Sequence, residues 1–277
     1  MSNKSDRYVT IVFLAVVGLM VVAGCLDFVG APRGTVDAIV MPVAVLSVVL
    51  LVLHGSRMLG LLRLTGLVAT AATTGFIFEF FGVRGGTVFG GQYFYDEAQY
   101  ENMMLLGVPI PVIVFWAVFI YVGYCITNSF VRWMGKAKPA KAHGNAHWIA
   151  LLVLLDGMAV MAFDLFMDPI VVHRGGWVWA EQGAYFGIPI GNFIGWFLVT
   201  VIATSIFRGF EYFAPKESPS SSDFVHLIPV LGYGIVGVMF TIHAAKEGMP
   251  GESLAGFAVM MPFVLTSLVC FMLRGSE

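Results

Sequence analysis

The sequence predicts an all-α membrane protein, a polytopic helix bundle of about eight transmembrane helices with a parallel internal repeat. Three observations predict it. Of the 277 residues, 58% are hydrophobic and only 12% are charged, against roughly 25% charged in an ordinary soluble domain. Apolar runs of the length a bilayer core needs, about 20 residues, recur along the whole chain. Two of the connections between those runs also read alike, with Gly107-Val-Pro-Ile aligning onto Gly187-Ile-Pro-Ile at an offset of 80 residues.

Taken in order, the expected spans are 8–25, 36–53, 58–81, 107–130, 148–169, 186–207, 227–245 and 254–273. No small-residue cleavage site follows the first run, so it is expected to remain as a span. Cys25, Cys125 and Cys270 each lie inside an apolar run without metal-ligand spacing, and are expected to be small buried hydrophobes. The basic linker 135–145 (GKAKPAKAHGN) and the polar linker 218–223 (SPSSSD) are expected as connections within a single integral membrane domain, 1–277. Eleven of the 15 Lys and Arg fall on the N-terminal side of the membrane, including Arg57, Arg63, Arg208 and Lys136. The positive-inside rule therefore places both termini in the cytoplasm of a multi-pass protein of the plasma membrane. A net charge of −2 gives no electrostatic case for nucleic acid as a partner.

The chain is organised around two similar stretches, 79–116 (EFFGVRGGTVFGGQYFYDEAQYENMMLLGVPIPVIVFW) and 164–196 (DLFMDPIVVHRGGWVWAEQGAYFGIPIGNFIGW). Each starts with carboxylates at the end of one span, crosses an aromatic, Gly-rich connection, and enters the next span through Gly-x-Pro. The same offset brings Trp116 onto Trp196. Pro109 and Pro189 are expected in the first helical turn, where a missing N–H costs nothing. Repeat A covers about 58–131 and repeat B about 147–208. They run in parallel, unlike the inverted pair of many transporters.

Glu79, Asp164 and Asp168 are the candidate reactive groups. A carboxylate in the last turns of a helix meets the negative end of the dipole, and partial burial also disfavours its charge. At least one of the three is therefore expected to be neutral near pH 7, and a neutral carboxyl beside an ionised one suits general acid–base chemistry. Asp164 and Asp168 are i, i+4 on one helical face, so at least one points inward, at a cost of about 2.5–3.5 kcal/mol on insertion scales. The plain alternative is that these acids reach the outer headgroups. Asp156 lies nearly mid-span, where a structural hydrogen bond and a part in the chemistry are both open readings.

Tyr93, Phe94 and Tyr95 in the first connection mirror Trp177 and Trp179 in the second, with Tyr185 following. They are either an interfacial aromatic belt or the walls of an apolar channel facing a carbocation, where each desolvated cation–π contact is worth about 2 kcal/mol. Asn192, one turn before Trp196, either positions water or ties two helices together. Val112 takes its place in the first repeat. His173 and Arg174 are expected at the interface. His54, His143, His147, His226 and His243 show no ligand spacing, so no metal is assigned. The glycine-rich run from Gly85 lacks the Lys-Ser/Thr of a phosphate loop.

At these residues the chain resembles the CruF-type carotenoid biosynthesis proteins, the carotenoid 1,2-hydratase and bisanhydrobacterioruberin hydratase family. The motifs are Glu79-Phe-Phe-Gly-Val, Phe89-Gly-Gly-Gln-Tyr93-Phe-Tyr95, Gly107-Val-Pro-Ile-Pro, Asp164-Leu-Phe-Met-Asp168-Pro, Trp177-Val-Trp179 and Tyr185-Phe-Gly-Ile-Pro-Ile-Gly-Asn192-Phe-Ile-Gly-Trp196. Two positions depart from the family pattern: Gly85 stands where a Thr is usual, and Gly191 where a Ser is. The resemblance implies a hydro-lyase that adds water to the terminal double bond of an acyclic carotenoid, lycopene-like or bisanhydrobacterioruberin, without a cofactor. It implies Glu79, Asp164, Asp168 and Asn192 as catalytic residues. Tyr93, Tyr95, Trp177, Trp179, Tyr185 and Trp196 are implied as substrate-binding. The implied partners are the carotenoid in the bilayer, membrane lipid, and other carotenoid biosynthesis enzymes. A lycopene cyclase-type isomerase and a non-catalytic carotenoid-binding or transport protein are the rival readings.

Overall fold

The computed structural model describes residues 4–96, 100, 102–133, 146–214 and 221–273. Among these residues it is an all-α bundle of eight helices, each long and apolar enough to cross a membrane. They are α1 (Lys4–Phe28), α2 (Arg33–Leu59), α3 (Leu61–Gly85), α4 (Ile110–Trp133), α5 (Ala146–His173), α6 (Ile190–Phe213), α7 (Asp223–Lys246) and α8 (Pro250–Leu273). Four short strands lie in the connections: β1 (Tyr93–Tyr95), β2 (Met104–Leu105), β3 (Val108–Pro109) and β4 (Trp177–Trp179).

Helices α5 and α6 form the centre, with 56% and 50% of their most apolar windows buried, while α1 and α2 are peripheral at 17% and 6%. One core unites α3, α4 and α6 around Leu67, Trp116, Ile120 and Val199. A second unites α4, α5, α7 and α8 around Ile126, Phe166, Val230 and Met260. Close helix contact needs small residues. A Cβ on Gly123 of α4 would lie 2.8 Å from Val160 of α5, so these two helices pack backbone-close, as helices in lipid do.

Several expectations change. The fifth span was expected to end at Pro169, but α5 runs through that proline to His173. Proline has no N–H for the carbonyl four residues back, and the freed Leu165 carbonyl instead accepts the Tyr185 hydroxyl at 3.0 Å. The same device recurs in α7, where Pro229 frees the Val225 carbonyl and His54 Nε2 donates to it at 2.9 Å. Cys25, expected to be buried, is exposed, because it lies on peripheral α1; Cys125 and Cys270 are half-buried.

The basic linker and its Lys136, Lys138, Lys141 and His143 lie outside the described residues, as do Lys216 and Arg274. Of the remaining cations counted for orientation, Arg57 pairs with Asp6 at 2.8 Å, Arg63 with Glu211 at 3.8 Å, and Arg208 is buried against Asp156. These three are partners within the bundle: α2 and α6 extend beyond the expected spans at Arg57 and Arg208, and Arg63 lies in the first turn of α3. In the polar linker, Ser222 accepts the Val225 N–H and caps α7.

Candidate active site

Both connections turn back in the same way. Leu106 and Gly107 have φ of 51° and 82°, and Phe186 and Gly187 have φ of 48° and 84°. Positive φ at two consecutive central residues is the requirement of a type I′ turn. The flanking pairs are Leu105 with Val108 and Tyr185 with Ile188, in the same register at the 80-residue offset. Pro109 and Pro189 follow as extended residues just before their helices: Pro109 ends β3, and Pro189 is the N-cap of α6 with ψ 137°. The expectation of prolines in the first turn is corrected by one residue, because the hairpin must close before the helix can begin.

The two connections also pair with each other. β1 and β4 are antiparallel, with Tyr93 opposite Trp179, Phe94 opposite Val178 and Tyr95 opposite Trp177. Alternation along a strand sends successive side chains to opposite faces, so Phe94 and Val178 are exposed at 53% and 60%. Tyr93, Tyr95, Trp177 and Trp179 face inward and pack ring against ring, with Tyr93 5.0 Å from Trp179 and Tyr95 6.0 Å from Trp177. The four rings form a roof over the carboxylates.

Under one half of the roof, Glu79 is buried on α3. Its Oε2 accepts from Tyr93 (2.6 Å) and Tyr95 (2.8 Å), and its Oε1 from Trp116 Nε1 (3.0 Å). Two glycines on the same helical face make room for those donors. A Cβ at Gly82 would stand 2.7 Å from the Tyr93 hydroxyl, and one at Gly75 would stand 2.6 Å from the Trp116 ring. Burial first, and the charge of Glu79 second, push the Tyr93 and Tyr95 phenols well above the usual phenol range, so both remain donors.

Under the other half, Asp164 and Asp168 are both buried on α5. A single amide holds them, with Asn192 Nδ2 of α6 donating to Asp164 Oδ2 at 2.8 Å and to Asp168 Oδ2 at 2.9 Å. Trp177 of the roof lies within polar reach of Asp168. Among the described residues, Asp164 Oδ1 and Trp179 Nε1 are buried without a partner. Buried polar groups are nearly always satisfied, so these two are exceptions within the site. Glu79 lies within electrostatic reach of both aspartates.

The sequence placed these acids at helix ends, with inward burial as the working reading and reach to the headgroups as the alternative. The structure buries all three, since α5 continues past Asp168 and the aromatic roof covers them. Trp196 does not reach the acids directly; it packs on Trp116 at 4.2 Å. The Tyr185 hydroxyl is taken by the Leu165 carbonyl. Gly191, where the resemblance leads one to expect Ser, lies against the backbone of the first connection. A Cβ there would be 2.9 Å from the Gly90 nitrogen. Gly85 has open space, its nearest neighbour being Thr87 at 3.8 Å.

A family model described as carotenoid biosynthesis protein matches residues 38–263. The chain belongs to the carotenoid biosynthesis protein family. No curated protein and no solved structure matches it. The match takes in every helix that builds the roofed site and leaves out α1, the first turn of α2 and the last turns of α8.

This carotenoid biosynthesis protein has a second buried polar cluster that sequence reasoning did not assemble. Arg208 of α6 grips Asp156 of α5 through Nε (2.6 Å) and Nη2 (2.8 Å). It also donates to Thr127 (2.8 Å) and Asn128 (3.0 Å) and lies 4.5 Å over the Tyr124 ring. Tyr124 in turn donates to Glu211. Of the two readings of Asp156, this geometry fits the structural one, since both its oxygens are engaged with α4 and α6. The signal available was an Asp and an Arg each inside an apolar run. Sequence reasoning also missed the i, i+4 pair of His243 on α7 and Glu247 at its C-cap. With Asp27 they gather ligand atoms within 4.8 Å, and Lys246 already pairs with Asp27 at 3.3 Å.

Proposed function

We propose that the protein is a hydratase that adds water across the terminal carbon–carbon double bond of an acyclic carotenoid, lycopene-like or bisanhydrobacterioruberin-like, to give a tertiary alcohol. The observation that carries this reading is the Asn192 amide clamping two buried aspartates, one of which keeps an unpartnered oxygen. Asp164 donates the proton from Oδ1. The alkene π electrons form the new C–H bond at the less substituted carbon and leave a tertiary cation at the other. The rings of Tyr93, Trp177 and Trp179 stabilise that cation. Water supplies the pair for the C–O bond, and the proton it loses goes to Asp168. The sum is alkene plus water to alcohol, with no change of oxidation state and no need of a redox cofactor. Glu79, engaged at both oxygens, anchors the roof in this reading, and Asp164 is the preferred acid.

The frame is two parallel copies, about 58–131 and 147–208, whose acid-bearing ends meet under the paired strands. The positive-inside bias puts that roof at the outer face of a plasma-membrane protein with both termini in the cytoplasm. The test is expression in a lycopene-accumulating host and chromatography of the pigments with mass detection. Carotenoids heavier by one water support the reading. A new pigment of unchanged mass would indicate cyclisation, and unaltered pigment co-purifying with the protein would indicate a carrier.

A further inference from the structure

A cavity of about 210 Å³ opens among α1, α2, α4, α5 and α7, next to the roofed site but outside it. Its walls are almost wholly apolar, and only four lining residues carry a polar side-chain group: Ser47, His54, Tyr121 and Tyr233. Each of these is already satisfied within the protein. Ser47 donates to the Val43 carbonyl at 2.8 Å, and Tyr233 donates to the Ala159 carbonyl at 2.8 Å. His54 Nε2 must carry its proton, since it faces the Val225 carbonyl at 2.9 Å. His54 Nδ1 is then the acceptor for the Tyr121 hydroxyl at 2.6 Å. The cavity is far larger than the roughly 10–15 Å³ one water needs, yet it offers water no partners; apolar cavities of this kind stay dry and take hydrocarbon.

The cavity lies close to the acids along α5. Its α5 wall is Ala159, Val160 and Phe163, and Asp164 lies one turn beyond Val160 on the same helical face, about 6 Å along the axis. Phe119 and Phe163, 4.6 Å apart, stand at the boundary. On the far side Phe119 meets Trp196 at 5.7 Å, and Trp196 stacks on the Trp116 that holds Glu79.

We infer that this cavity is the subsite for the polyene body of the carotenoid, which threads past Phe119 and Phe163 so that only its terminal double bond reaches Asp164. The inference rests on the proposed function for the identity of the reacting end. The occupant itself follows from the lining: a hydrocarbon stretch with no polar group, in a protein of carotenoid biosynthesis. A lipid acyl chain shares that chemistry, but nothing would direct an acyl chain toward a pair of buried carboxylates.

The test uses full-length protein purified from a lycopene-producing host, with visible absorbance to count bound polyene and tryptophan quenching to titrate it. Gly232 lines the cavity, and a Cβ there would have only Phe13, 3.9 Å away, for company, so Gly232→Phe fills the space from α7. Met20→Trp fills it from peripheral α1, and serves if the first variant does not fold. Both are expected to weaken polyene binding at least about tenfold, the loss from excluding some two methylene equivalents. Leu254→Phe, at an exposed position of α8 outside the cavity, is expected to bind like the wild type. Undiminished binding in the filled variants would overturn the inference, as would phospholipid in place of polyene in the wild-type preparation. Product mass is read separately. Bound polyene that gains no water counts against the hydratase reading and leaves the subsite standing.

Discussion

Asn192→Leu isolates the clamp that the proposed chemistry depends on. Leucine keeps the heavy-atom count and branching of asparagine between α5 and α6, though its methyl groups are bulkier, and both hydrogen bonds, to Asp164 Oδ2 and Asp168 Oδ2, are lost. Each buried carboxyl oxygen left without its donor costs about 1–3 kcal/mol, so the folded state is expected to lose about 2–6 kcal/mol unless the two acids rebond to each other. The chemical step is expected to fall by about 10²–10³, the usual consequence of removing one preorganised donor from a buried reactive group. The assay is hydrated carotenoid per folded protein, with folding followed by thermal unfolding in detergent. Residues that act as a unit are strongly non-additive, so Asp164→Asn combined with Asn192→Leu should be no slower than Asp164→Asn alone. A single variant that hydrates within about threefold of wild type, against the drop expected for such a donor, would refute the reasoning.

The other expectations follow from neighbouring contacts. Asp164→Asn should give folded protein and no hydrated product by mass. Asp156→Ala should instead destabilise by about 3–5 kcal/mol, because it leaves the Arg208 guanidinium buried and unpaired, while the protein that does fold still makes product. Tyr185→Phe should cost about 1–2 kcal/mol by orphaning the Leu165 carbonyl. In a Pro169→Ala background the helix regains an N–H for that carbonyl, so the same substitution should cost less than half as much in a double-mutant unfolding cycle. Gly191→Ser drives a Cβ into the Gly90 backbone and should cost about 1–3 kcal/mol. Gly85→Thr meets open space and should change stability by no more than about 0.5 kcal/mol.

The spans were legible because lipid leaves a one-dimensional signature, and all eight apolar runs became helices. Their ends were less so. Gly-x-Pro marked where α4 and α6 begin, but the hairpin closing before each proline is set by φ at Leu106 and Phe186, residue types that carry no such preference. The roof was half legible: the aromatic triplets stood out, yet their direct pairing as β1 and β4 is a contact across more than 80 residues that neither segment announces alone. Asn192 and the two aspartates were singled out as separate candidates, and only the packing of α5 on α6 makes them one group. Arg208 was read against the membrane and Asp156 as bonding an unnamed neighbour or joining the chemistry, so their bond was invisible until α6 proved long enough to bring Arg208 inward.

The two halves of the site share a frame and differ in how they hold their acids. Trp116 and Trp196 stack at the centre, and the two turns repeat each other residue for residue. Yet Glu79 accepts at both oxygens from donors that surround it, whereas Asp164 is held at one oxygen and open at the other. The difference traces to a few positions. Where the second half has Asn192, the first has Val112, so no amide reaches Glu79 from α4 and the indole of Trp116 does so instead. A fully coordinated carboxylate is a fixed point, and it braces the tyrosines of the roof. A half-coordinated one beside a second acid is free to give up a proton and receive it back. On the proposed chemistry, this near-symmetric scaffold would carry its reactive centre on the Asp164 side alone.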